Sequence, residues 1–166
     1  MDYIISSGII ESGIILNYPD VMVISSGGTA DSTEVNSRGK MIVSSGGIAE
    51  NTVVNSAGRT YVDGMATGTT VNFGGTMNVS SGGTANDTTL AGTLVLRDIR
   101  YFGTANRTTV NSGIYYSRGL CISSGGTADN TTVNSGGKLA VNSGGTATNV
   151  SAASGAVLDL VVASNT

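Results

Sequence analysis

Apolar residues along this chain come in short alternating pairs set among glycine, serine, threonine and asparagine. Met41 and Val43, Met77 and Val79, Leu94 and Leu96, Leu120 and Ile122, and Leu139 and Val141 are each two apart, as are Thr33 and Val35 or Thr131 and Val133. Side chains two apart on an extended chain share one side, so each pair predicts a short strand with one buried face. No window holds apolar residues at helical spacing for three turns, and each interior glycine would cost a helix about 1 kcal/mol. The pattern therefore predicts strands and excludes helices.

The pairs recur in register. A Gly-x-Ala triplet begins at Gly28, Gly47, Gly64, Gly83, Gly103, Gly126 and Gly145, with steps of 19, 17, 19, 20, 23 and 19 residues. Three residues after the alanine stands a threonine (Thr33, Thr52, Thr69, Thr88, Thr108, Thr131). Two further on comes an aliphatic residue, then in most copies an asparagine (Asn36, Asn55, Asn72, Asn111, Asn134) and a turn ending in glycine. The last copy reads as shortened, reaching Val150 early. Each repeat reads as two strands and two turns, too little to bury a core alone, so successive repeats must stack. The expected architecture is an all-β β-solenoid (β-helix) of about seven to eight coils of roughly 19 residues. Residues 1–22 form an atypical amino-terminal coil or cap, residues 23–160 the repeats with irregular coils at 97–118, and residues 161–166 a tail.

Composition narrows the function. Histidine and tryptophan are absent, aromatics are 5% and charged residues 11%, so material for acid/base chemistry is scarce and no catalysis is expected. A net charge of −3 with only 8 Lys and Arg offers no basic field for nucleic acid. Cys121 is alone, excluding an internal disulfide or thiolate metal cluster. No apolar run approaches the roughly 20 residues of a membrane span, so direct membrane insertion is not expected. The opening MDYIISSG shows no basic segment leading an apolar stretch, hence no visible signal peptide. Neither a phosphate loop of the form Gly-x-x-x-x-Gly-Lys-Ser/Thr nor a calcium repeat of the form Gly-Gly-x-Gly-x-Asp is present, and Asp31, Glu50, Asp87 and Asp129 fall one per coil. No cofactor or metal is implied. The glycines and asparagines read as corner residues, the asparagines tolerating left-handed backbone and stacking into hydrogen-bonded ladders.

The stretches SSGGTADSTEVNSRGKMIV, SSGGIAENTVVNSAGRTYV and SSGGTADNTTVNSGGKLAV resemble the AIDA-type repeats of bacterial autotransporter adhesins, over about residues 23 to 150. That resemblance implies an exported, cell-surface passenger acting in cell adhesion, autoaggregation or biofilm formation. It also implies an export signal and a carboxy-terminal outer-membrane barrel beyond this chain. It further implies O-glycosylation by a heptosyltransferase, with Ser26, Ser45, Ser81 and Ser124, each before Gly-Gly, as the matching acceptors. The competing role for these serines is hydrogen bonding to the turn backbone.

The repeat breaks at residues 97–118. Arg97, Arg100, Tyr101, Phe102, Tyr115, Tyr116 and Arg118 gather there, and arginine and tyrosine commonly anchor interfaces, so this stretch is the candidate patch for a surface glycan or protein of a host or bacterial cell. The competing account is packing over an irregular coil. Solenoid ends expose strand edges, which makes self-association through them a further expectation. An alternative function is a flat threonine array, Thr70, Thr89, Thr109 and Thr132, facing ice or a polysaccharide; Glu34 and Val53 interrupt that column in the earlier coils.

Overall fold

The computed structural model describes residues 1–80, 82–90, 99–101, 103–111 and 119–161. All regular structure among them is β, wound as a solenoid with three parallel sheets running along it. The first coil shows the plan: β1 (Asp2–Ile5) lies on the first face, β2 (Ile10–Ser12) on the second and β3 (Ile15–Leu16) on the third. The first face has nine strands and the other two have eight each, so eight three-sided coils are followed by a ninth strand at Val157–Leu160. At about 4.8 Å per rung the first face is about 38 Å tall.

The expected solenoid is present, but each coil has three strands where two were read. The missed strand is the three-residue run carrying the Gly-x-Ala alanine, for example Thr29–Asp31. Between corner residues it offers a single buried side chain, too small to produce an alternating signal. The residues set apart as an amino-terminal coil or cap contain β1–β3, each in register with its successor, as in Asp2↔Val21, Ile10↔Thr29 and Ile15↔Glu34. Leu94 and Leu96 lie outside the described residues; the strand in that rung is Ile99–Tyr101, in register with Leu120–Ile122. The final copy is not shortened. Ser151 and Ala152 pair with Thr132 and Val133, so Val150 stands in the threonine column and Ala152 in the valine column.

Like stacks on like in the interior. Met22, Met41 and Met77 and then Leu120 and Leu139 line one column of the first face, with Thr60 in coil 4. Ala30, Ala49, Ala66, Ala85, Ala105 and Ala128 line the second, and Val35, Val54, Val71, Leu90, Val110 and Val133 the third; all are buried. Apolar side chains removed from water at every rung supply the main driving force. The threonines before the third face (Thr33, Thr52, Thr69, Thr88, Thr108 and Thr131) are buried too, and their hydroxyls have no partner among the described protein groups.

The corners continue the ladders. At the first corner, Gly27 has φ of 75° and its N–H donates to Gly46 C=O of the next coil at 2.8 Å. That left-handed conformation turns the amide along the stacking axis and is readily available to glycine. Gly28 answers a different demand: a Cβ there would lie 2.5 Å from Ile5 C=O. The Gly-Gly pair is thus one conformational glycine followed by one of close approach.

The asparagine ladder exists, but not in left-handed backbone. Asn55 donates to Asn36 at 2.6 Å and Asn72 to Asn55 at 2.7 Å, and Asn134 donates to Asn111 at 2.7 Å. None of these has positive φ. Left-handed non-glycine residues stand elsewhere: Arg38 and Ala57 at the apex of the third corner, and Ser32, Asn51, Asp87, Arg107, Asn130 and Asn149, with φ between 49° and 53°, at the second. The ladder asparagines follow the third-face strand directly, so the register of that strand brings their amides into line from rung to rung.

Candidate functional surfaces

The first-corner serines sit where a β-turn leaves the first face. Ser25 C=O accepts from Gly28 N–H at 2.9 Å, closing the turn over Ser26 and Gly27. Ser26, Ser45 and Ser124 are exposed, and none of their hydroxyls makes a hydrogen bond among the described residues. Each abuts the next coil where that coil carries a turn glycine: a Cβ on Gly46 would lie 2.5 Å from Ser26 Oγ, and one on Gly144 2.6 Å from Ser124 Oγ. Ser81 lies outside the described residues. Ser7 and Ser143 occupy the same turn position in coils 1 and 8 and are also exposed. The third corner holds a second set that sequence reading missed: Ser37, Ser56, Ser135 and Ser154 are exposed, one residue before the turn apex. The signal was available, since Asn-Ser precedes that turn as regularly as Ser-Ser precedes the other.

Of the proposed binding patch, Arg97, Phe102, Tyr115, Tyr116 and Arg118 lie outside the described residues. Arg100 and Tyr101 belong to the strand Ile99–Tyr101, Arg100 in register with Asn78 and Cys121, and Tyr101 with Val79 and Ile122.

The threonine column of the third face is in register through Thr70, Thr89, Thr109 and Thr132. A second column runs along the neighbouring face through Thr84, Thr104, Thr127 and Thr146. It was not singled out in the sequence because it was read as part of the turn.

Acids and amides cluster at the second corner. Asn51 donates to Asp31 at 2.9 Å, and its hydrogen bond is the first cause holding that carboxyl below its ordinary pKa, with Ser32 and Ser12 adding to it. Thr148 and Asn149 each donate to Asp129 at 2.7 Å and lower its pKa likewise. Arg107 grips Asp87 with both Nε and Nη2, at 2.6 and 2.7 Å, lowering the Asp87 pKa and raising its own. Each of these three aspartates bonds a neighbouring coil, so three of the four acids that fall one per coil in the sequence act as inter-coil ties. No cluster of three or more metal-ligating side chains occurs among the described residues.

No protein-family model matches the chain, and no curated protein matches it. Among solved structures, the chain is similar to a TibC-catalysed, hyper-glycosylated TibA fragment, at 27% identity over 97% of this chain and 85% of that chain, with a TM-score of 0.42. At that TM-score the fold assignment rests on the rung registers described above and not on the likeness.

Proposed function

We propose that this chain is a rigid, non-catalytic, cell-surface or secreted segment of an AIDA-type adhesin, acting in adhesion, autoaggregation or biofilm formation. In this reading Ser26, Ser45, Ser81 and Ser124 are O-glycan acceptors for a heptosyltransferase. The observation that carries it is the state of the corner hydroxyls: Ser26, Ser45 and Ser124 are exposed and make no hydrogen bond among the described residues, on turns that recur with the coil. The resembling repeat SSGGTA supplies the family context. A transferase that recognises one turn could then act at successive rungs without refolding its substrate. Arg97, Arg100, Tyr101, Phe102, Tyr115, Tyr116 and Arg118 are proposed as the partner-facing patch.

Intact-mass analysis of protein from its native host tests the acceptor role. The expected result is a series of sugar-sized additions that shortens when Ser26, Ser45, Ser81 and Ser124 are changed to alanine. An unmodified mass, together with no effect on cell aggregation, would overturn the reading.

One observation favours a second reading. Two adjoining faces carry four threonines each in register, Thr84 to Thr146 and Thr70 to Thr132, the form of a flat hydroxyl array for ice or a polysaccharide. Thermal hysteresis in the purified protein would place this reading first.

A further inference from the structure

Coil 4 is the short one, and the shortening falls at the first corner. Where coils 2, 3, 5 and 7 read Ser-Ser-Gly-Gly, coil 4 passes from Val62 through Asp63 to Gly64 alone. A Cβ on Gly64 would collide with the carbonyls of both Gly47 and Ser44, so the chain there runs flush against coil 3. Coil 6 repeats this, Gly103 lying against the carbonyls of Gly83 and Ser80. The turn column of the first corner therefore skips a rung between Gly46 and Gly82, a span of about 10 Å at two rungs.

The skipped rung leaves a notch of about 340 Å³, lined by Ser45, Gly46, Asp63, Met65, Gly82 and Thr84 among others. Its walls are chemically unspent. Gly8, Gly27 and Gly125 donate their N–H to the next coil's turn glycine at 2.8 to 2.9 Å, but that acceptor is missing above Gly46, whose N–H has no partner among the described residues. By the same logic Gly82 C=O, on the opposite wall, accepts no turn glycine from coil 4. Asp63 is exposed between them, while its backbone N–H is occupied by Val43 C=O at 2.8 Å. Hydroxyls from Ser45 and Thr84 flank the opening, and Met65 and Ile48 give it an apolar side.

We propose that this notch is a binding site for one pyranose ring of a neutral saccharide. The volume suits a single ring. Each sugar hydroxyl both donates and accepts, and the notch offers acceptors in Asp63 and Gly82 C=O and donors in Gly46 N–H and Thr84. A pyranose also has an apolar C–H face, which Met65 and Ile48 can cover. A divalent cation is the poorer fit, because one carboxylate falls well short of the six to eight oxygens calcium takes. The inference deepens the adhesive reading by naming a ligand class for it, and rests on that reading only in taking a glycan as the partner.

The test uses unmodified recombinant protein and saturation-transfer NMR with methyl glycosides of mannose, galactose, glucose and fucose and with N-acetylglucosamine. The expected result is transfer to at least one of them, with Kd on the order of 1 mM for so small a ligand. Asp63→Asn should weaken that binding at least tenfold. Replacing Asp63 with the tripeptide Ser-Ser-Gly restores the ordinary corner, fills the notch, and should abolish binding while circular dichroism and thermal midpoint stay near wild type. Absence of transfer from every probe, or binding unchanged in both variants, would overturn the assignment; if the filled variant fails to fold, Asp63→Asn decides alone. Cell aggregation by the glycosylated protein with no saccharide bound here would leave the adhesive reading standing and remove only the notch.

Discussion

At the scale of the residue, threonine and glycine carry demands that composition alone does not separate. The buried threonines match valine in shape, but each brings a hydroxyl with no partner among the described residues. A buried hydroxyl left unmet costs about 1–3 kcal/mol. Thr69→Val should therefore raise stability by about 1 kcal/mol, read as a higher urea midpoint at unchanged slope; a lower midpoint would show that the hydroxyl has a partner. Glycines differ by position within the same motif. Gly47→Ala would place a Cβ 2.6 Å from Ile24 C=O, whereas Gly82, with φ of 90°, has nothing within 4 Å of a Cβ. Gly82→Ala should cost about 1–2 kcal/mol, the left-handed penalty alone, and Gly47→Ala distinctly more, because backbone of the adjacent coil must move. Thermal denaturation of the two variants side by side checks the order.

At the scale of the element, what ties one rung to the next outside the sheets is a small set of side-chain ladders. Asn55 both donates to Asn36 and accepts from Asn72 in a half-buried setting. Asn55→Ala should cost about 1–3 kcal/mol, since it strands two partners, and Asn36→Ala less, since it strands one. The second corner adds a pH dependence. Asp31, Asp87 and Asp129 are held below the ordinary carboxylate pKa by Asn51, by Arg107, and by Thr148 with Asn149. A lowered pKa in the folded state means the contribution is complete above the unfolded value near 3.9 and is lost as pH falls through the folded values. Urea midpoints should thus be flat from pH 7 to about 5 and fall below about 4. Asp129→Asn should shrink that acid limb. The strands of the first and third faces were legible because each carries two alternating buried residues or a Thr-x-Val pair. The second-face strand was not, because one small alanine such as Ala30 between two outward side chains has no periodicity to read. The serines proposed as acceptors stood out from their Gly-Gly neighbours, while the notch at Asp63 appears in the sequence only as a step of 17 residues, and its meaning depends on which corner is shortened.

At the scale of the whole molecule, the coils form a one-dimensional series in which each touches only its neighbours. Deleting residues 29–47 removes one full period and joins Gly28 to Ile48, which already shares register with Thr29. The shortened protein should fold with the same sheets and a denaturant slope lower by roughly an eighth, in step with the surface lost. A slope reduced much further would mean that coils beyond the deletion had come apart. Protection should also vary along the stack. Leu158 and Leu160 continue the inward columns of Leu139 and Val141 yet are 43% and 54% exposed, so amides at the carboxy-terminal rung should exchange with solvent faster than those of coils 2 to 4.

The parallel ladders of the three faces run their backbone hydrogen bonds along the long axis, and the left-handed corner residues add further axial bonds, such as Gly27 N–H to Gly46 C=O. That arrangement sets how the molecule bears load. A pull between its two ends is carried in line by one rung of bonds at a time, so the weakest terminal rung opens first and the rest stay shut. Each rung that opens surrenders about 5 Å of height but releases about 65 Å of extended chain from one 19-residue coil. Held at both ends, such a rod would pay out slack coil by coil, lengthening many-fold before parting.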